Sequence, residues 1–173
     1  MFKSILCPID GSDHANKALA LAVDLAKKYD ASLLLLHVLL RNVDASELKR
    51  FAEIEGLSHS VDSEINRIMG VDNRTEIVRL RDRQPMSTGV LVDIAEHLTG
   101  AAKREAESAG VREVKVTILD GDPAKRILEL AEQEHVDCIV MGNRGLSDIK
   151  AFALGSVSQK VSYLAPCTCV AVK

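Results

Sequence analysis

Five short runs of apolar residues are separated by longer segments in which apolar residues recur every three or four positions. Continuous apolar runs followed by turn residues are typical of buried strands, whereas the longer spacing is typical of amphipathic helices. One run, Glu113–Leu119, alternates and is rich in β-branched residues, which predicts a less buried strand at a sheet edge. The five predicted strands are Phe2–Ile9, Ser32–Leu39, Glu113–Leu119, Asp137–Gly142 and Thr168–Val172.

Four helices are predicted around these strands, each with a start or stop signal. Either Ser12 or Asp13 can cap the first helix, and Gly110 ends the second. Asp122-Pro123 opens the third helix, and Pro166 stops the last. Their predicted apolar stripes are Ala15, Leu19, Ala22 and Ala26; Leu91, Ile94, Ala95, Leu98 and Ala102; Ala124, Ile127, Leu128 and Ala131; and Val157, Val161 and Leu164.

The alternation of strands and helices predicts an α/β fold with right-handed crossovers. We expect an open, mainly parallel five-stranded sheet of Rossmann-like type with helices on both faces. The continuously apolar run "SLLLLHVL" fits a parallel strand that is covered on both faces. Ligands of such sheets bind at the carboxyl ends of the strands where the strand order reverses. The loops after the first, second and fourth strands are therefore the expected location of a site.

The segment Arg41–Pro85 differs from the rest because charges of both signs are mixed through it. We interpret it as an excursion from the sheet within a single domain of residues 1–173. It contains two candidate helices, "ASELKRFAEI" and "VDSEINRIM". A protein partner that binds through this excursion is one hypothesis for its role.

Composition excludes several classes of protein. The chain of 173 residues is 47% hydrophobic, which is enough to bury a sizeable core. Its net charge of -3 provides no basic field for nucleic acid, and no apolar run is long enough to span a bilayer. The first residues lack the features of a secretory signal peptide. We therefore expect a cytoplasmic protein that binds no nucleic acid and does not insert into a membrane.

Four cysteines, Cys7, Cys138, Cys167 and Cys169, lie in or beside apolar runs. Reduced thiols in such runs behave as small hydrophobic groups, so we predict that they are buried. The pair Cys167 and Cys169 has no partner pair at zinc-finger spacing, and a metal-thiolate site is the weaker alternative.

Familiar catalytic motifs are absent from the sequence. No G-x-x-x-x-G-K-[ST] and no G-x-G-x-x-G after the first strand are present, which argues against a P-loop ATPase and a Rossmann dehydrogenase. The five histidines are dispersed, and none has the spacing of a triad or a metal pair. His37 lies among leucines, which favours a packed histidine over a catalytic one.

Glycines follow the fourth predicted strand in an unusual arrangement. Gly142 and Gly145 are three apart, and after nine further residues Gly155-Ser156 opens a helical pattern. Glycine permits close approach of a ligand to the main chain, and the N-terminus of a helix attracts anions. These features together predict a phosphate cradle. The alternative is an ordinary turn after a strand and a simple helix start, and the spacing alone does not separate the two.

The stretch "GNRGLSDIKAFALGS" matches the pattern G-x-x-G, nine residues, G-[ST], and in this it resembles the ATP-binding branch of the universal stress protein family. The segments "ILCPIDGSDHANKALALA", "LLLLHV" and "GSVSQKVSYLAPCTCVAV" resemble other parts of the family in the same order. The resemblance covers most of Met1–Leu40 and roughly Val90–Lys173.

This resemblance implies a binding site for ATP, or for ADP or AMP. It places Asp10 near the ribose or as a ligand of Mg²⁺, and Val38 near the adenine, where its backbone can form hydrogen bonds. Backbone N–H groups of Gly145, Gly155, Ser156 and Val157 would hold the phosphates, and the hydroxyls of Ser156 and Ser158 would add side-chain contacts. The implied set is Pro8, Asp10, Val38, Met141, Gly142, Arg144, Gly145, Gly155, Ser156, Val157 and Ser158.

Simpler interpretations of three of these residues remain open. Asp10 can cap the turn into the first helix, and Ser156 can be an N-cap, as serine commonly is. Arg144 can be a solvated surface arginine.

Three functions compete at this point. The favoured one is a nucleotide-binding regulatory or stress-response protein, because the sequence supplies binding groups without an evident general base. A slow ATPase or an enzyme transferring phosphate or adenylate, with Mg²⁺ at Asp10, is the second. The third is a partner-binding module in which the nucleotide is structural.

The last predicted strand indicates how the chain assembles. "TCVAVK" is largely apolar on both faces, and Lys173 is its only charged residue. An unprotected edge of this kind invites pairing, and the resemblance implies a homodimer through this strand. The alternative is a monomer in which another segment covers the edge.

Overall fold

The computed structural model describes residues 1–39, 88–145 and 155–173. The predicted excursion Arg41–Pro85, with its two candidate helices, lies outside the described residues. The strands are β1 (Ser4–Pro8), β2 (Ser32–Leu39), β3 (Val114–Asp120), β4 (Cys138–Gly142) and β5 (Thr168–Val172). The helices are α1 (Asp13–Tyr29), α2 (Thr88–Ser108), α3 (Pro123–Gln133) and α4 (Ser156–Leu164).

The strands form one parallel sheet in the order β3-β2-β1-β4-β5. This confirms the predicted α/β fold and the placement of the third strand at an edge. The central strand β1 pairs with β2 from Ser4 opposite Ser32, and with β4 at Ile5 opposite Cys138. The strand order reverses between β1 and β4, so the carboxyl ends of these two strands meet at the point where ligands of such sheets bind.

Helices cover both faces of the sheet. Alternate side chains of β2 belong to opposite cores, with Leu33 and Leu35 on one face and Leu34 and Leu36 on the other. This double burial is the reason that the strand is apolar throughout. The first face packs against α1 and the end of α2 through Ala18, Leu19, Ala22, Val23, Ala26, Ala102 and Ala106. The second packs against α3 and α4 through Ala124, Ile127, Leu130, Ala131 and Val161.

Local capping sets the helix boundaries, largely as predicted. Ser12 is the N-cap of α1, and its hydroxyl accepts a hydrogen bond of 3.2 Å from the N–H of Ala15. Asp122 caps α3 in the same way through the N–H of Lys125, at 2.7 Å. After α2 the chain reverses at Gly110, whose φ of +97° favours glycine.

The predicted stripe of the last helix was wrong at one position. Val161 is fully buried, whereas Leu164 is 52% exposed. Helix α4 packs against β5, which is one of the two edge strands of the described sheet, so no further strand of that sheet lies beyond it. The buried stripe is therefore narrow and consists of Ser158 and Val161.

We found no helix in the described ranges with the length and hydropathy needed to cross a membrane.

Candidate functional site

The loops after β1 and β4 touch at Asp10 and Gly145. One carboxylate oxygen of Asp10 accepts hydrogen bonds from the N–H of Ser12 at 3.0 Å and from its hydroxyl at 2.7 Å. The other oxygen, Oδ2, lies 2.5 Å from the position that a Cβ on residue 145 would occupy. A side chain at position 145 would therefore displace the carboxylate of Asp10, which faces the Cα of Gly145. The turn-capping role of Asp10 is present, and its second oxygen points across to the other loop.

Gly142 provides close packing between α1 and β4. A Cβ at this position would lie 2.9 Å from the carbonyl carbon and from the Cβ of His14, and 3.0 Å from the nitrogen of Ala15. Two of these atoms belong to the backbone, so they cannot move without shifting the first turn of α1. Gly142 thus brings the start of α1 against the end of β4.

Asn143 fastens the start of α4 to the end of β4. Its carbonyl oxygen accepts the N–H of Gly155 at 2.7 Å and the hydroxyl of Ser158 at 2.7 Å. Its own N–H donates to the carbonyl of Val172 in β5 at 2.7 Å. Sequence reasoning missed this buried residue, whose only signal was its position between the two glycines of the motif.

The N-terminus of α4 has no side-chain cap. Its N-cap is Gly155, which offers no side-chain acceptor, whereas Ser12 and Asp122 cap α1 and α3. Ser156 is exposed and is the first helical residue, so the suggestion that it serves as the N-cap was wrong. Among the described residues, no side chain caps the N–H groups of Ser156 and Val157, and the helix dipole places positive charge there. The N–H of Gly155 donates to the carbonyl of Asn143 instead, so the expectation that it holds a phosphate was wrong.

Ser158 has a different environment from Ser156. It is 2% exposed, and its hydroxyl lies 2.7 Å from the carbonyl oxygen of Asn143 and 2.9 Å from that of Gly155. A hydroxyl has one proton to donate, so these carbonyls occupy it. We interpret Ser158 as a residue that positions the start of α4.

The end of β2 forms a third side of the site. Ile9 donates its N–H to the carbonyl of Leu36 at 2.8 Å, so the backbone groups of Leu36 face β1. Peptide groups alternate sides along a strand, and those of Val38 therefore face the same way. The last pair of the β1–β2 ladder is Pro8 with Leu36, which puts the Val38 groups beyond the end of β1.

The structure brings the whole implied set to one end of the sheet. Met141 is 4% exposed, and its side chain belongs to the core shared with α3 and α4. Arg144 is half-buried, and Gly145 is exposed. The set consists of Pro8 at the end of β1 and Asp10 after it, Val38 at the end of β2, Met141 and Gly142 at the end of β4, Arg144 and Gly145 after it, and Gly155, Ser156, Val157 and Ser158 at the start of α4.

His37 is buried beside this site. Its Nδ1 lies 2.9 Å from the carbonyl oxygen of Ile9. A carbonyl only accepts, so Nδ1 carries the proton. Burial lowers the pKa of His37 from its ordinary value of 6.5, and the hydrogen bond to Ile9 and the charge of Asp10 oppose this in part.

This lowered pKa predicts a pH dependence of stability. The unfolded chain takes up a proton on His37 near pH 6.5, while the folded protein takes it up only at lower pH. The free energy of unfolding should therefore be at its full value above pH 6.5 and fall as the pH drops below it. Urea denaturation between pH 8 and pH 5 measures this. The His37→Asn variant should lack this component of the slope, and an equal slope in both proteins would contradict the assignment.

The four thiols are not equally buried. Burial, and then the charge of Asp10, raise the pKa of Cys7 to about 12, and burial is the main cause that raises the pKa of Cys138 to about 11. Both are fully buried, as predicted, but Cys167 and Cys169 are only half-buried. Their pKa values are also raised, mainly by burial. Within residues 1–39, 88–145 and 155–173, no group of three or more His, Cys, Asp or Glu is placed to hold a metal ion.

The fold and the site define a doubly wound α/β protein with an uncapped helix N-terminus at its switch point. The sequence profile of the universal stress protein family matches residues 1–173, and the chain belongs to this family. Universal stress protein YxiE of Bacillus subtilis (strain 168) is 34% identical over 173 residues, with 100% of both chains covered.

Solved structures share the fold. The protein MJ0577 is 28% identical with a TM-score of 0.66, covering 100% of this chain and 96% of its own. A universal stress protein in complex with cAMP is 22% identical with a TM-score of 0.61, covering 99% and 97%. A universal stress protein from Archaeoglobus fulgidus in complex with dAMP is 17% identical with a TM-score of 0.58, covering 100% and 98%.

Proposed function

We propose that this universal stress protein binds ATP, or its products ADP or AMP, at the switch point of the sheet and acts as a nucleotide-dependent regulator of the stress response in the cytoplasm. The observation that carries the proposal is the first turn of α4. It is held beside the loop after β4 by Asn143, yet no side chain of the described residues caps it. A helix start with unused N–H groups next to a glycine is suited to phosphate oxygens.

The phosphates would lie against the backbone of Gly145 and the N–H groups of Ser156 and Val157. Each contact of an anion with a helix N-terminus contributes about 0.3 to 1 kcal/mol when exposed. Arg144 is half-buried in the same loop, and its positive charge would add to the attraction. Several such contacts together account for binding without a phosphate-binding lysine.

The base and the ribose would extend from there towards β1 and β2. The open peptide groups of Val38 offer one donor and one acceptor, which suits the edge of an adenine ring. Asp10 would accept from a ribose hydroxyl, with Pro8, Met141 and Gly142 lining the nucleoside. Two structures of the same fold in complex with cAMP and dAMP support an adenine nucleotide as the ligand class.

Mg²⁺ fits this site only together with the nucleotide. Magnesium is usually bound through one or two carboxylates plus phosphate oxygens and retained waters. Asp10 is the carboxylate that faces Gly145, and it would supply one ligand. The metal would neutralise charge on the phosphates, while Asp10 would orient it.

Regulation is favoured over turnover because Asp10 is already engaged. One of its oxygens accepts two hydrogen bonds from Ser12, which holds it as an acceptor rather than as a base for water. A slow ATPase or a phosphate- or adenylate-transferring enzyme is the alternative, with Mg²⁺ at Asp10 as its basis. A steady turnover of ATP that Asp10→Ala abolishes would favour that enzyme.

Mass spectrometry of small molecules released from the purified protein tests the ligand class directly. We expect an adenine nucleotide, and calorimetry with ATP, ADP and AMP would then rank the three. A protein that is purified without nucleotide and binds none of them would favour the third hypothesis, a partner-binding module that acts through residues 41–85.

Two serines of α4 should respond differently to alanine. Ser156→Ala should weaken ATP binding by only about 1 kcal/mol, since its backbone N–H remains. Ser158→Ala removes the buried hydroxyl that bonds to Asn143, and it should lower the free energy of unfolding by about 1 to 2 kcal/mol. Calorimetry and urea denaturation of both variants check this. A loss of stability in Ser156→Ala without a loss of affinity would instead assign Ser156 a structural role.

We also propose a homodimer through β5. This strand is one of the two outer strands of the described sheet, and Cys169 and Val170 in it are half-buried. Pairing with the same strand of a second copy would satisfy its outward backbone groups. Light scattering at tens of micromolar should give twice the chain mass of 18.8 kDa. A monomer mass with and without ATP would contradict the dimer.

A further inference from the structure

The β1–β2 ladder stops one hydrogen bond earlier than its geometry allows. Parallel strands in this register alternate, so that Ile9 donates to Leu36 and the next bond would run from the N–H of Val38 to the carbonyl of Ile9. The first bond is present at 2.8 Å. The second is not among the bonds of the described residues, and strand pairing ends at Pro8 with Leu36.

The side chain of His37 occupies the acceptor that this missing bond would use. Its Nδ1–H donates to the carbonyl of Ile9 at 2.9 Å, and the residue is only 8% exposed. The side chain of His37 therefore replaces the backbone N–H of Val38 as the hydrogen-bond donor to Ile9. The carbonyl of Ile9 is satisfied without Val38, and β1 is free to turn away from the sheet.

We infer that His37 is a positioning residue that ends the β1–β2 ladder, keeps the peptide groups of Val38 open for a ligand, and sets the direction of the chain into Asp10. The inference rests on the proposed nucleotide function for its consequence, but its structural part stands on the hydrogen bonds alone. Asp10 follows Ile9 directly, so the bond that holds the Ile9 carbonyl also fixes the carboxylate that faces Gly145. His37 thereby connects the base-binding and phosphate-binding sides without touching the ligand.

Amide hydrogen exchange tests the structural part without any nucleotide. In the wild-type protein the N–H of Val38 should exchange faster than that of Leu36, which lies inside the ladder. In His37→Leu the Ile9 carbonyl is released, and Val38 should become protected by bonding to it. In His37→Asn the side-chain amide can still donate, and Val38 should stay unprotected. Unchanged exchange of Val38 in His37→Leu would overturn the inference.

Calorimetry with two ligands tests the functional part. His37→Leu should lower the affinity for ATP by about tenfold, which is the cost of a lost hydrogen bond at a buried group. It should leave the affinity for tripolyphosphate without Mg²⁺ unchanged, because Asp10 takes part on the phosphate side only through the metal and the rest of that side is built by β4 and α4. His37→Asn should restore ATP binding. Equal losses for both ligands, or no loss for ATP, would overturn the positioning role.

The same experiment separates this inference from the proposed function. A wild-type protein that binds no nucleotide would defeat the proposed function, and the amide exchange of Val38 would then decide the structural part by itself. A wild-type protein that binds ATP, with His37→Leu binding it equally well, would defeat only the role of His37.

Discussion

Gly145→Asp should lower the affinity for ATP by about 100-fold, the loss expected when two charge-assisted hydrogen bonds are removed. The Cβ would lie 2.5 Å from Oδ2 of Asp10, so the Asp10 carboxylate must shift from its position. The new carboxylate would also place a negative charge where phosphate is proposed to approach backbone N–H groups. Calorimetry with ATP measures the loss.

Two further variants separate the steric effect of the new side chain from the effect of its negative charge. Gly145→Ala adds the steric conflict without the charge, and its loss of affinity should be smaller. Gly100→Asp adds the same side chain in α2, where the nearest atom to a Cβ is the end of the Arg104 side chain at 3.4 Å, and it should leave ATP affinity unchanged. Unchanged affinity in Gly145→Asp would remove Gly145 from the site.

Gly142→Ala should instead lower stability, by about 2 kcal/mol, which is a typical cost of overpacking. The added methyl group would lie 2.9 Å from the carbonyl carbon of His14, so the first turn of α1 must move away from β4. Urea denaturation would show a lower midpoint with an unchanged slope.

The matched control variant is Gly100→Ala, which should change the free energy of unfolding in the opposite direction. Gly100→Ala places a methyl group in the middle of α2 with space around it, and should stabilise the protein by about 0.5 to 1 kcal/mol through helix propensity. A neutral Gly142→Ala would mean that α1 adjusts freely, and the packing role of Gly142 would be wrong. Together with Gly145→Asp, these variants assign different tasks to two glycines of one motif.

The sequence predicted the elements well where a local signal and a buried face agreed. The capping residue Asp122, followed by Pro123, marked the start of α3 correctly. The continuous apolar run of β2 indicated a strand buried on both faces, and the structure confirms it. Leu164 was misplaced because a helical repeat shows which residues share a face and cannot show where the sheet beneath that face ends.

The sequence also predicted only part of the candidate site. The spacing of Gly142, Gly145 and Gly155 indicated where flexible backbone is needed, but it did not show that the first packs against α1 and the second faces Asp10. Nor did it indicate Asn143, whose carbonyl holds Gly155 and Ser158. These contacts join residues that are far apart in the chain, and no local pattern encodes them.

The sequence by itself determined the order of strands and helices, the parallel sheet and the segment in which a phosphate could bind, since periodicity, caps and glycine spacing are properties of neighbouring residues. Only the tertiary structure decided which atoms meet. The reversal of strand order brings Asp10 against Gly145, and the alternation of the β2 peptide groups puts His37 on the carbonyl of Ile9 while Val38 stays open. The physical reason is that strand order and register are set by the packing of whole faces, and a shift of one residue would exchange every side chain between the two cores.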